Sequence, residues 1–189
     1  VKTVGQLPRV MYLLVFDREL AEKAVKETYP SEGPHFLEKI IQASLDLPLP
    51  TRDDLNRAML SRVGVLCGEP KTTDQLRRFM NIFHDAVSPY LNTPRDLTRF
   101  LNAISVSWPA VAEEVDVGDY LAIETMRLFV LSLYNCVRRR KERLCGTRSD
   151  SIGRDDQQKE MEEYLSLVPK DHREHVKLAL MRLFPRLEN

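Results

Sequence analysis

At 189 residues the chain has room for one domain of ordinary size, or a domain with a small appendage, but not for two full domains. Lys plus Arg and Asp plus Glu balance at 28 each, so the field of the whole chain steers it toward neither nucleic acid nor an anionic membrane. Aromatics at 7% and only 7 glycines argue against a sandwich of short strands with glycine-rich turns, and for helices packed through Leu, Val and Met.

Residues 10–16, Val-Met-Tyr-Leu-Leu-Val-Phe, form an unbroken apolar run that stops at Asp17 and Arg18. Such a run predicts a strand covered on both faces, as in a parallel sheet. With no initiator Met and an entry almost directly into this strand, the chain reads as a piece of a larger protein. A helix is expected next, with Leu20, Ala24 and Tyr29 facing inward, ending before Pro30. A short helix over 36–41 leads to a second predicted strand at 43–47, where Ala43, Leu45 and Leu47 alternate before Pro48 and Pro50.

From Thr51 the hydrophobic period changes from strand-like to helical. Thr51 with Asp54 three residues on predicts a helix start, and Leu55, Ala58, Met59, Val63 and Leu66 make its apolar stripe up to Gly68 and Pro70. Leu76, Phe79, Met80, Phe83 and Val87 mark the next helix. Thr93-Pro94 opens another, with Thr at the cap and Pro at the first helical position. Asp119 is expected to cap a long helix running through residues 128–137, a stretch interrupted by Ser132 and Asn135 and too short to cross a bilayer, which takes roughly 18 to 20 apolar residues. Residues 146–153 read as the most mobile segment. A polar helix over 155–167 and a final helix over 171–184 close the chain. Strand, helix, short helix, strand and then helices alone describe the end of an α/β domain followed by a helical domain, with the boundary near Pro50.

No GxxxxGK[ST] loop, GxGxxG fingerprint, GxSxG elbow or HExxH helix occurs. The 3 cysteines have no CxxC spacing and suit a reducing, cytoplasmic setting. His172 and His175 read as a solvated helix face and His84 as a hydrogen-bonded structural residue. The basic stretch Arg138, Arg139, Arg140, Lys141, Arg143 and Arg148 reads as a solvated helix end favoured by the C-terminal dipole, since no aromatic interleaves with it and acidic residues follow. Two groups remain as candidates. Asp17 and Arg18 end a predicted parallel strand, where open α/β sheets bind ligands, although the pair also suits a simple helix cap. On the helix after Thr93, Arg95 lies within about 40° of both Arg99 and Asn102, while Leu97, Phe100, Leu101 and Ile104 crowd the opposite side. Two guanidinium groups and an amide on one face suit either idle surface or bidentate recognition of phosphate.

The order of three segments resembles the C-terminal half of KAP-type P-loop NTPases, a family that includes bacterial phage-exclusion proteins and membrane-linked signalling proteins. They are Phe16-Asp-Arg-Glu19 after the apolar run, Phe36-Leu-Glu-Lys-Ile-Ile-Gln42 before a Leu-Pro step, and Thr93-Pro-Arg-Asp-Leu-Thr-Arg-Phe-Leu-Asn102. The resemblance spans about residues 10–138. It implies a mainly α chain: a short two-strand remnant of a parallel α/β P-loop core over 1–50, a helical lid bundle over 51–145, and a loop with C-terminal helices over 146–189. It also implies that the phosphate-binding loop and Mg-binding acidic strand lie upstream of Val1. Asp17, beside Arg18, then stands near the sensor position, and Arg95 matches the second-sensor arginine of the lid. Arg99 and Asn102 match the family pattern, either touching nucleotide or bracing the lid.

The resemblance thus implies the sensor and lid portion of an NTPase, coupling ATP or GTP, with Mg, to helical movement in the full-length protein, phage exclusion being one such role. This chain alone is expected to be inactive and to hold no cofactor. The expected partner is the missing N-terminal half of the core, with a homo-oligomer left open, nucleic acid disfavoured, no membrane segment, and a cytoplasmic setting in which the full-length protein is soluble or membrane-associated. The competing reading is a helical interaction module that binds a partner protein or nucleic acid through its arginine-rich faces.

Overall fold

A computed structural model describes residues 9–30, 34–145 and 154–187. They divide into two compact units, Val1–Leu49 and Pro50–Asn189. The segment expected to be mobile, 146–153, lies outside the described residues.

In the first unit, α1 (Arg18–Thr28) starts where Asp17 accepts a hydrogen bond from the Leu20 amide at 3.1 Å, the standard way to satisfy an orphan N–H of the first turn. Tyr29 stacks on Phe36 in the 3-10 helix Pro34–Lys39, with ring centroids 5.5 Å apart. The inward face expected for α1 is not formed: no residue of the helix is buried, and Leu20 is 67% exposed. Neither predicted strand exists, and among the described residues there is no sheet at all. The expectation of a two-strand parallel remnant is therefore wrong. Residues 10–16 do keep a period of two, because Val10, Tyr12, Leu14 and Phe16 are 45–50% exposed and Met11, Leu13 and Val15 are 81–94% exposed. That is an extended chain without a ladder. A strand needs neighbouring backbone to take up its N–H and C=O groups, and no described segment offers it, at 10–16 or at 43–47, where Leu45 and Leu47 are also exposed.

The second unit is a bundle of short helices, and its boundaries follow from capping chemistry. α2 (Arg52–Cys67), α3 (Thr73–Ile82) and α4 (Pro94–Ser107) each begin with a reciprocal capping box, Thr51 with Asp54, Thr72 with Gln75 and Thr93 with Asp96. α3 runs into a π-turn, Phe83–Val87, whose Phe83, Ala86 and Val87 are buried. α5 (Val117–Phe129), α6 (Leu131–Arg139), α7 (Lys141–Cys145), α8 (Arg154–Ser166) and α9 (Arg173–Leu183) complete it. The fully shielded side chains, among them Met59, Phe83, Phe100, Ile104, Leu133, Tyr164 and Leu180, form one core. Helix α5 is capped by Asp116, not Asp119: the Asp116 carboxylate accepts from the Asp119 amide, and Asp119 instead joins Asp116 in holding Arg78 of α3. Nor is α5 continuous with α6. Val130 (φ −137°, ψ 62°) leaves helical geometry and separates them. Among the described residues no helix is long and apolar enough to cross a membrane.

Candidate functional site

The candidate residues on α4 sit on a helix whose start is tightly specified. Thr93 Oγ1 accepts from the Asp96 amide at 3.1 Å, and Asp96 Oδ2 accepts from the Thr93 amide at 3.0 Å. Pro94 occupies the first helical turn, where it loses no hydrogen bond. Phe100 and Ile104 are wholly buried and fix the rotation of the helix, so Arg95, Arg99 and Asn102 all emerge on its exposed side.

There the three diverge. Among the described residues Arg95 makes no hydrogen bond or ion pair, and the exposed side-chain amide of Asn102 has no partner. Arg95 also places a positive charge in the first turn, at the positive end of the helix dipole, where a cation without a negative partner is disfavoured. Arg99 is committed. Its Nη2 donates to the Leu128 carbonyl at 3.0 Å, and its guanidinium carbon lies 5.6 Å from the centroid of the Phe129 ring. The break at Val130 leaves carbonyls in the last turn of α5 without their usual partners, and Arg99 supplies one. Nothing in Leu128-Phe-Val-Leu131, which has neither Gly nor Pro, marks that break in the sequence.

Behind Arg99 runs a column of rings that sequence reasoning missed. Phe129 stacks on Phe100 (6.3 Å) and on Tyr90 (5.9 Å), and Tyr90 stacks on His172 (4.6 Å, 14° between planes). Burial pushes the Tyr90 hydroxyl up to about 12, and that hydroxyl makes no hydrogen bond. His172 and His175 are thus half-buried with shielded Nδ1 atoms, not a solvated face, and His84 is exposed, edge-on to Phe83, not a hydrogen-bonded core residue. No group of three or more His, Cys, Asp or Glu among the described residues is placed to hold a metal ion.

Asp17 and Arg18 belong to the first unit. Asp17 Oδ1 caps α1, and its other oxygen accepts no hydrogen bond from a described residue. Arg18 pairs with Glu22 at 2.8 Å and approaches Glu38 at 3.9 Å, which holds its guanidinium above the usual range. The basic stretch is partly neutralised within the second unit. Arg140 pairs with Glu163 and lies over the Tyr164 ring, while Arg143 Nε stands 3.2 Å from Oε2 of the buried Glu160, whose other oxygen accepts from the Tyr164 hydroxyl at 2.8 Å. That hydrogen bond from Arg140 keeps Glu163 below the ordinary carboxylate range. Arg148 lies outside the described residues.

Residues 1–110 match the KAP family P-loop domain. The chain is also 28% identical, over 140 residues, to the phage T7 exclusion protein of Escherichia coli strain K12; the match takes in 71% of the chain and 19% of that protein. The chain therefore spans about a fifth of the length of this curated relative. No solved structure matches it. With more than half of its residues inside the family's domain, the chain belongs to the KAP family of P-loop domains.

Proposed function

We propose that this chain is the sensor and lid portion of a KAP-type NTPase, with Arg95 as the side chain that meets nucleotide phosphate. The observation that carries the reading is the state of Arg95: an exposed guanidinium with no partner among the described residues, on the first turn of a capped helix anchored by buried Phe100 and Ile104, inside the family match. A fixed fork of donors with no internal acceptor suits a phosphate that arrives with the ligand. Asn102 lies along the same face as a further donor. In the first unit, Asp17 keeps one oxygen that accepts from no described residue at the proposed sensor position, with Arg18 beside it.

The residues present fit a phosphate contact but not a metal or a complete phosphate cradle, so the grip on ATP or GTP and on Mg comes from residues outside these 189. Mg, when bound, would neutralise phosphate charge; the part of this chain is to add the Arg95 guanidinium from the lid. Movement of α4 on nucleotide binding then couples nucleotide state to the helices packed on it, and the relation to the phage T7 exclusion protein points to phage exclusion as the setting. The rival reading, an arginine face that grips nucleic acid, is weakened because Arg140 and Arg143 direct their charge at Glu160 and Glu163.

Arg95→Ala in the intact protein tests the proposal. Turnover is expected to fall by about 10- to 100-fold, the scale of losing one charged donor to phosphate. Thermal stability should stay within about 1 °C, because an exposed, unpartnered side chain contributes little to folding. Wild-type turnover by this variant would sink the assignment.

A further inference from the structure

We infer that Arg99 is a positioning residue, which braces α4 against the break between α5 and α6 and so holds the turn carrying Arg95, rather than a second phosphate ligand. The inference rests on the reading of Arg95 as the phosphate contact. Arg95 and Arg99 are one helical turn apart on the same side of α4, yet among the described residues one guanidinium has no partner and the other holds a carbonyl and stands over an aromatic ring. Nη2 donates to the Leu128 carbonyl, and the guanidinium carbon stands over the Phe129 ring, 5.6 Å from its centroid. A guanidinium swung away onto a phosphate would leave the end of α5 short of the donor that Arg99 Nη2 supplies. The same contact ties α4 to more than its neighbour. Phe129 stacks on Phe100 of α4 itself and on Tyr90, which stacks on His172 at the entry to α9. A brace at this point fixes the spacing between the Arg95 turn and the α5 terminus, and Val130, the one residue outside both helices, is where the end of α5 gives way if the brace is lost.

A lysine cannot replace arginine here. An ammonium lacks the delocalised fork with which Arg99 donates to the Leu128 carbonyl while its guanidinium carbon stays over the Phe129 ring.

The test measures backbone hydrogen exchange over residues 128–134 without nucleotide, and steady-state ATP hydrolysis, in the intact protein and its Arg99→Ala, Arg99→Lys and Phe129→Leu variants. The brace predicts faster exchange at the α5–α6 break in all three. It also predicts kcat lowered about 10-fold with KM for ATP within about twofold, since a mispositioned contact is felt in the transition state rather than in ground-state binding. Phe129→Leu, which leaves Arg99 in place, should reproduce both effects. If Arg99→Ala instead raises KM about 10-fold with exchange unchanged, or Arg99→Lys restores wild-type behaviour, Arg99 binds phosphate and the inference falls. Exchange is read without nucleotide, so the brace is judged apart from Arg95, whose role is decided by the turnover of Arg95→Ala alone.

Discussion

In the first unit Met11, Leu13 and Val15 turn almost entirely outward, and no residue of α1 is buried. In the second, Phe100, Ile104 and Leu133 are wholly shielded, and charged side chains such as Arg78, Arg140 and Arg182 tie one element to the next. Both regions contain apolar runs, 10–16 in the first and 128–131 in the second. The difference lies in what that sequence can pair with. A helix satisfies its own backbone and needs a partner only for one face, so short helices can assemble a core from a local stretch of chain. An extended segment satisfies nothing by itself, so its apolar side chains stay exposed unless other backbone lies alongside.

Core truncation breaks the comparison most directly. Phe100→Ala should destabilise the second unit by about 3–5 kcal/mol, the range for removing a fully buried aromatic, whereas Leu13→Ala should stay within about 0.5 kcal/mol. Denaturant unfolding monitored by circular dichroism measures both, and equal costs would erase the distinction between the units. A smaller effect is expected at Glu160, which is 5% exposed between Arg140, Arg143 and Tyr164. Glu160→Ala should cost about 1–3 kcal/mol, below the figure for a fully buried pair because both arginines remain partly in water. A neutral result would mean that this buried carboxylate contributes nothing to the second unit.

The smallest effect is confined to alkaline pH. Burial raises the Tyr90 phenol from 10.0 to about 12, so the folded state holds its proton where the unfolded chain releases it. Stability from this residue is complete below the unfolded value and is lost as pH rises from 10.0 toward about 12. Tyr90→Phe should flatten that limb of the stability profile without loss at neutral pH, since the hydroxyl it removes has no hydrogen bond. Identical alkaline limbs for the two proteins would show that Tyr90 is not shielded from water.

Local chemistry is the part of the fold that sequence expresses well. Thr51 with Asp54, and Thr93 with Pro94, mark their helix starts because capping needs only residues three apart. Asp116 and Asp119 look alike as caps in the sequence; Asp116 takes the role, accepting from the Asp119 amide, while the Asp119 carboxylate is held by Arg78 of α3, distant in the chain. The extended backbone of residues 10–16 is equally legible in their unbroken apolar run, but such a run says nothing about whether a neighbour is present to make it a strand. The break at Val130 and the ring column behind Arg99 are invisible for the same reason: both depend on residues far apart in the chain, with no Gly or Pro to announce them. Helical periodicity could place Arg95 and Arg99 on one face. Only the position of Leu128 and Phe129 distinguishes the free arginine from the committed one.

The most direct test of the lid reading is ATP turnover by the intact protein, measured side by side for wild type, Arg95→Ala and Arg99→Ala. Turnover should fall by about 10- to 100-fold in Arg95→Ala, and by about 10-fold with KM for ATP within about twofold in Arg99→Ala. Wild-type turnover in Arg95→Ala would contradict the lid reading.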